Sequence, residues 1–410
     1  MNPNISISHH GTGSQNVTTG NGPQSNLHGS GTQNNYYGHP NPPGPLPNHN
    51  TRSLVSSRTR PSRREEFEIA LVCALTVEYD AVTLQFDEFW DEYGEQYGRA
   101  PGDMNTYTTG RIGNYNVVLT LLPNMVKAAA AGTIASFRSS YSRLKLAFLV
   151  GICGGVLGTD SNGALLGDVV VSKTVIQFDF GRQFPDKFVA NDTIEDSLGR
   201  PNKDIYSLIA SFETHLRRKC LKKKAAEYLK DLQAAAARER YQYTYQCLAV
   251  AEDKLFATRY RHKHRVPKLC SVCEGETDNY WEVAALASCA ELNCDEGKLL
   301  PRKHLEIKRS LKQDEMQCPE IFIGCIASGD TVMKSGVHRD QLAREHNVIA
   351  FEMEGAGAWD EVPCIIIKGI CDYADSHKNK KWQPFAAATA ASVMKAILGR
   401  YTSADPPTQV

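Results

Sequence analysis

From Phe67 onward the chain repeats one pattern: a continuous apolar run, a short polar turn, then an Ala-rich or amphipathic stretch. The runs are Phe67 to Leu75, Val117 to Leu122, Leu144 to Val150, Val169 to Val171, Ile321 to Ile326, Ile349 to Glu354 and Cys364 to Ile370. Runs without polar alternation suit strands covered on both faces. Strands that alternate with helical stretches, here 127–137 and Pro384 to Leu398, specify an α/β fold: a mainly parallel mixed sheet flanked by helices.

Three regions follow from texture. Residues 1–64 are rich in Gly, Asn, Ser, Pro and His and read as a disordered tail. A pattern recurs within it, Gly11 to Asn16 and Gly29 to Tyr37, in which Gln/Asn with adjacent aromatics could stack as cross-β or act as a flexible linker. Residues 65–405 form the expected catalytic domain. An insertion at about 203–315 opens with a long helical, basic pattern and continues into a Cys-bearing, charged segment.

Charge narrows the partners. Lys+Arg and Asp+Glu both number 46, so no overall field draws the 410-residue chain to nucleic acid or to an anionic membrane. No apolar run approaches the ~18–20 residues of a membrane span. Cysteines such as Cys73, Cys153, Cys325, Cys364 and Cys371 lie singly in apolar runs, as free thiols do in a reducing compartment. The expectation is a soluble cytoplasmic protein.

Open α/β sheets bind ligands beyond the carboxyl ends of their strands. Four places there carry chemistry. Glu78 follows the first strand and could serve as a general base on water or sit as a solvated first-turn carboxylate. Gly151-Ile152-Cys153-Gly154-Gly155 follows the third, where glycines would let a planar ring or phosphate approach the backbone. In Phe351-Glu352-Met353-Glu354, strand alternation would point both acids to one face, where paired carboxylates can hold vicinal hydroxyls such as those of a ribose. Asp372 ends the last strand, shielded enough for a raised pKa and proton donation.

Two further clusters are ambiguous. Cys270, Cys273, Cys289 and Cys294 have spacing similar to a four-thiolate zinc site, though the second pair is wider than usual; any zinc there would staple the insertion rather than act on substrate. Arg259, Arg261, His262, Lys263, His264 and Arg265, and separately Arg182 with Lys187, could be solvated faces or phosphate contacts.

Taken in order, Ala70 to Glu78, Gly151 to Gly155, Gly167 to Val170, Ala327 to Asp330, Phe351 to Ala356 and Cys371 to Asp375 resemble the nucleoside phosphorylase superfamily, in its methylthioadenosine/S-adenosylhomocysteine nucleosidase branch. Gln177 to Arg182 and Asp372 to Pro384 resemble fungal members found beside immune-receptor-like modules, and the tail repeats resemble fungal amyloid signalling motifs. The resemblance implies that Asp372 engages purine N7, Glu354 and Met353 hold the ribose beside Glu352, and Glu78 activates water. Cys153, Gly154 and Gly155 with Ser328, Val332 and Met333 would line the base pocket. Arg182 is a further substrate contact. Val332 and Ile152 replace residues common in the family, an aromatic and a small polar one, which bears on base specificity.

N-ribosidic cleavage develops positive charge on the sugar and negative charge on the leaving purine, which carboxylates and an acid answer. The acidic loop Thr76 to Asp80 favours water over phosphate as nucleophile. The expected activity is therefore hydrolysis of an adenine nucleoside or nucleotide, plausibly ATP, without metal or cofactor. Phosphorolysis, and a catalytically silent nucleotide-binding module, stay open. Partners implied are a purine substrate, a second copy of the chain, and a receptor or self-assembly route through the tail.

Overall fold

The computed structural model describes residues 60–91, 97–156, 163–186, 188–191, 198–265 and 282–402. The chain divides into two units, Met1–Arg58 and Thr59–Val410. The tail repeats, Lys187, Cys270 and Cys273 lie outside the described residues.

The first apolar run becomes β1 (Ile69–Cys73), buried at every position. It leads into α1 (Thr76–Thr83), β2 (Glu88–Phe89), β3 (Tyr107–Ile112), β4 (Tyr115–Leu121) and α2 (Lys127–Ser140). The chain continues through β5 (Leu146–Gly155), β6 (Val169–Gln177), the hairpin β7 (Gly181–Gln183) and β8 (Phe188–Ala190), α3 (Lys203–Phe212) and α4 (His215–Glu239). After short helical turns come β9 (Ile321–Ser328), helix Gly336–His346, β10 (Val348–Glu352), helix Gly355–Trp359, β11 (Cys364–Asp372) and helix Gln383–Leu398.

Nine strands order as β10-β9-β6-β11-β5-β1-β4-β3-β2. The pairs β1–β4, β1–β5, β5–β11, β6–β9 and β9–β10 are parallel. The pairs β2–β3, β3–β4, β6–β11 and β5–β10 are antiparallel. The β5–β10 pairing, Ala350 opposite Gly155 and Phe351 opposite Gly154, returns the sheet on itself and closes a ring of β5, β11, β6, β9 and β10. The α/β expectation therefore holds, with a closed segment that apolar patterning did not reveal.

Two sequence expectations change. The glycines 151–155 are not a turn after a strand but the continuation of β5 itself, paired to β11 on one side and β10 on the other. The helix Gln383–Leu398, expected to be amphipathic, is buried along nearly its whole length, because α4 from the 203–315 region covers its outer face. Leu221, Ala225, Leu229 and Leu232 of α4 enter the main core, each large side chain contributing about 1.5–3 kcal/mol by burial. Gln85 ties the layers by donating to Tyr228 O and Ser392 Oγ.

Candidate active site

At the carboxyl ends of β1, β5, β10 and β11 lies a cavity of about 540 Å³. Its inner wall carries Glu78, Cys153, Gly154, Glu352, Glu354 and Asp372, with Phe351, Met353, Val332 and Met333 as apolar surfaces. Nine of the twelve residues singled out from sequence line this cavity. Gly155 and Ser328 are buried beside it within β5 and β9 and do not line it. Arg182 lies on the exposed β7–β8 hairpin and is not brought to the cavity, so its assignment as a substrate contact is not supported by the geometry.

Glu78 enters from the first turn of α1 and turns back over the strand tips. Its Oε2 accepts the amide hydrogens of Ala74 and Leu75 at 2.9 Å, and its Oε1 accepts that of Ile152 at 2.8 Å. Burial pushes the Glu78 carboxyl upward, and Glu354 adds to this, while Lys368 and the amide donors pull it back. A side chain at Gly151 would place its Cβ 2.3 Å from Glu78 Oε1, so the carboxylate fits only because that strand position is bare. Gly154 has the same role for the other acid: a Cβ there would lie 2.9 Å from Asp372 Oδ1. The Cβ sides of Gly151 and Gly154 are thus taken by the protein's own carboxylates, while Cys153 and Gly154 still line the cavity.

Glu352 and Glu354 meet by a route other than strand alternation. The strand ends at Glu352, and Glu354 is helical at the start of Gly355–Trp359. Glu352 accepts the amide hydrogens of Glu354 and Gly355, fixing the turn that swings Glu354 inward. Ser328 Oγ braces the same turn by accepting from Ala356 N at 2.9 Å. Both acids converge on Lys368, whose Nζ donates to Glu354 Oε2 at 2.6 Å and stands 3.6 Å from Glu352 Oε2. Burial raises Glu352 to about 7 against the pull of Lys368, with Glu354 adding to the rise. Lys368 is itself held above its ordinary value: burial acts downward, but Glu354, Glu352 and Glu78 outweigh it.

Asp372 closes β11. Its Oδ1 accepts from Ala374 N at 2.8 Å and pairs with Lys378 Nζ at 3.2 Å, and among the described residues Oδ2 has only the weak Cys371 thiol donor at 3.4 Å. Ala374 occupies the left-handed region (φ 51°), a strained choice for alanine that places its amide against the acid. Tyr373 next to it is anchored in a buried network: its hydroxyl donates to Asp253 Oδ1 at 2.7 Å, and Arg302 donates to both Asp253 and the Tyr373 hydroxyl.

Sequence reasoning missed Lys368, Asp253 and Arg302. Lys368 had a signal: a lone lysine inside Ile365-Ile366-Ile367-Lys368-Gly369-Ile370 is costly to bury unless acids meet it. It also missed the cations at the cavity, Lys334, Lys378 and Lys380. The basic stretch 259–265 does not line the cavity; Arg265 lies over the Tyr260 ring at 3.9 Å, and His262 is buried.

The phosphorylase superfamily model matches residues 68–401 of this chain. The chain belongs to the phosphorylase superfamily. A nucleotide-binding leucine-rich repeat (NLR)-like protein of Hyaloscypha variabilis is 31% identical to it over 350 residues, covering 84% of this chain and 30% of the relative. An aminodeoxyfutalosine nucleosidase of Helicobacter pylori is 34% identical over 83 residues, covering 18% of this chain and 36% of the enzyme. This superfamily member thus spans about a third of the length of each relative. Among solved structures, the Helicobacter pylori 5′-methylthioadenosine/S-adenosylhomocysteine nucleosidase matches at 14% identity with a TM-score of 0.46, over 82% of this chain and 99% of that one. Futalosine hydrolase of Helicobacter pylori matches at 15% identity with the same score and coverage. Among the described residues no helix is long and apolar enough to cross a membrane.

Proposed function

We propose that the chain is a purine N-ribohydrolase acting on an adenine nucleoside or nucleotide, with ATP converted to adenine and ribose 5′-triphosphate. One observation carries the reading: Glu78, Glu354 and Asp372 share one wall of a single cavity whose other lining includes Lys334, Lys378 and Lys380.

In this reading the purine lies against Phe351, Val332 and Met333, with N7 toward Asp372. A proton passes from Asp372 to N7 as the N9–C1′ bond breaks and its electron pair leaves with the base. Glu354, bridged to Lys368, holds the ribose hydroxyls and stabilises the positive sugar. Water attacks C1′ and gives its proton to Glu78, from which it returns through solvent to Asp372. No phosphate is consumed. The deeply buried cation Lys368 is already committed to two carboxylates, which supports water rather than phosphate as nucleophile. Lys334 and Lys380 fit a negatively charged 5′ substituent, while Lys378 is paired with Asp372.

The same reading places the reaction in the cytoplasm, as the output of a fungal immune or cell-death response, in a homo-oligomer whose N-terminal tail assembles or docks on a receptor. The similarity to an NLR-like protein over 350 residues supports that setting. The test is chromatography of products from ATP, adenosine, methylthioadenosine, guanosine and inosine, each with and without phosphate. Free ribose or its 5′-phosphorylated form supports the proposal. Ribose 1-phosphate identifies a phosphorylase, and absence of turnover with retained nucleotide binding identifies a silent module.

A further inference from the structure

The cavity is also lined by Ala285, Leu286, Ala287, Ser288 and Glu291, from the 203–315 region rather than from the strand ends. This segment has little to hold it. Its apolar residues Ala284 and Leu292, with Ala287 and Cys294 against them, form a small cluster separate from the main core, while Val283 and Leu286 are largely exposed. So small a core does not fix a surface segment by itself.

Beside it, three soft donors converge. His262 Nδ1 or Nε2, Cys289 Sγ and Cys294 Sγ all lie within 4.8 Å of one another. The two thiols are brought to one side by a tight turn, in which Cys294 N donates to Cys289 O at 2.9 Å and Asn293 takes the left-handed conformation (φ 51°). His262 is 9% exposed, and among the described residues its ring nitrogens have no hydrogen-bond partner beyond the neighbouring Cys289 thiol. A buried imidazole whose partners are two weakly bonding thiols is a costly arrangement unless something accepts its lone pair. Tetrahedral zinc with Zn–S near 2.3 Å needs sulfurs about 3.8 Å apart, which a shift of about an ångström in each side chain supplies.

We propose that His262, Cys289 and Cys294 bind a zinc ion that pins the outer wall of the cavity to the loop carrying Asp372. The pin has a route. His262 N donates to Ser376 Oγ at 3.1 Å, and its ring packs edge-on to His377, 5.1 Å between centroids. Ser376 and His377 belong to the loop that starts at Asp372. Binding releases the two thiol protons to solvent and engages one neutral imidazole nitrogen. The fourth position falls to water or another donor. The ion is structural here: it touches neither Glu78, Glu354 nor Asp372.

The test uses the full chain, purified under reducing conditions without a metal-affinity step, reconstituted with zinc and dialysed. About one zinc per chain is expected by elemental analysis, falling to less than about a tenth in C289S and in C294S. Cobalt(II) in place of zinc should give a thiolate-to-metal charge-transfer band that both variants lose. Wild-type protein, which avoids any folding defect of the variants, should label at Cys289 and Cys294 at least about tenfold faster with a thiol reagent after chelation. The proposal is overturned if wild-type protein takes up no zinc, or if Cys289 and Cys294 form a disulfide in the reduced protein. It is also overturned if zinc persists in the C289S/C294S double variant while disappearing from a C270S/C273S one.

Discussion

The inner and outer ends of the cavity are built on opposite principles. At the inner end, Glu78, Glu352, Glu354 and Lys368 are almost fully buried, and each carboxylate is held by main-chain amides or by the lysine. At the outer end, Lys334, Lys380 and Leu286 are exposed and stand on loops or a five-residue helix. Loss of a charge or hydrogen bond at the inner end is felt by the sheet that holds it. The outer end can change residue by residue. Under the proposed function, bond cleavage belongs to the first and choice of 5′ substituent to the second.

The largest expected effects break the inner end. Asp372→Asn and Glu78→Gln should each lower kcat by about 100- to 10,000-fold, the usual loss on removing a general acid or base. Circular dichroism establishes that the variants are folded, and adenine release gives the rate; wild-type turnover in both would abolish the assignment. Next, Lys368→Met leaves two buried acids facing one another and should cost about 3–5 kcal/mol in denaturant unfolding. A cost under about 1 kcal/mol would mean that the acids are not held as a charged cluster.

The outer end should yield smaller, selective changes. Lys334→Ala with Lys380→Ala should raise KM for ATP about tenfold, or about 1.4 kcal/mol, and leave adenosine unchanged. Equal changes for both substrates would erase the division of labour between the two ends. The smallest effect is a pH shift. Glu78 must be ionised to accept a proton, and burial raises its pKa, so the rate should fall on acidification at a higher pH than an ordinary glutamate near 4.3 would give. Glu354 also raises Glu78, so Glu354→Gln should move the acid limb of the residual kcat/KM profile to lower pH, by under about one unit. A shift to higher pH would contradict the coupling between these two acids.

Sequence legibility follows the same division. β1, β4, β5, β9 and β11 were readable because layers on both faces demand unbroken apolar runs. Tyr107–Ile112 was missed as a strand because Thr, Gly and Arg interrupt it and its pairing partners decide its conformation. Gly151 to Gly155 looked like a turn because glycine is scarce inside strands; only the carboxylates packed against it explain its place there. Glu78, Glu354 and Asp372 were found because acids at strand ends stand out against apolar runs. The convergence of Glu352 and Glu354 on Lys368 was hidden, since it depends on contacts between β11 and the end of β10, strands that share no direct pairing in the sheet.

The ring closed by the β5–β10 pairing bears on how molecules enter and leave. Its five strands hydrogen-bond to neighbours on both sides over their paired residues, so the floor beneath the carboxylates has no seam at which to part. Opening it would mean losing several ladders together, a cost comparable with global unfolding. Amide protons of Val150 and Ile367 should accordingly be among the slowest in the molecule to exchange with deuterium, whereas those of Thr331 to Lys334 and Lys378 to Lys380 exchange early. Traffic into the cavity is then a matter of loop motion, and under the proposed function the release of the sugar would be timed by the segments that surround the lysines.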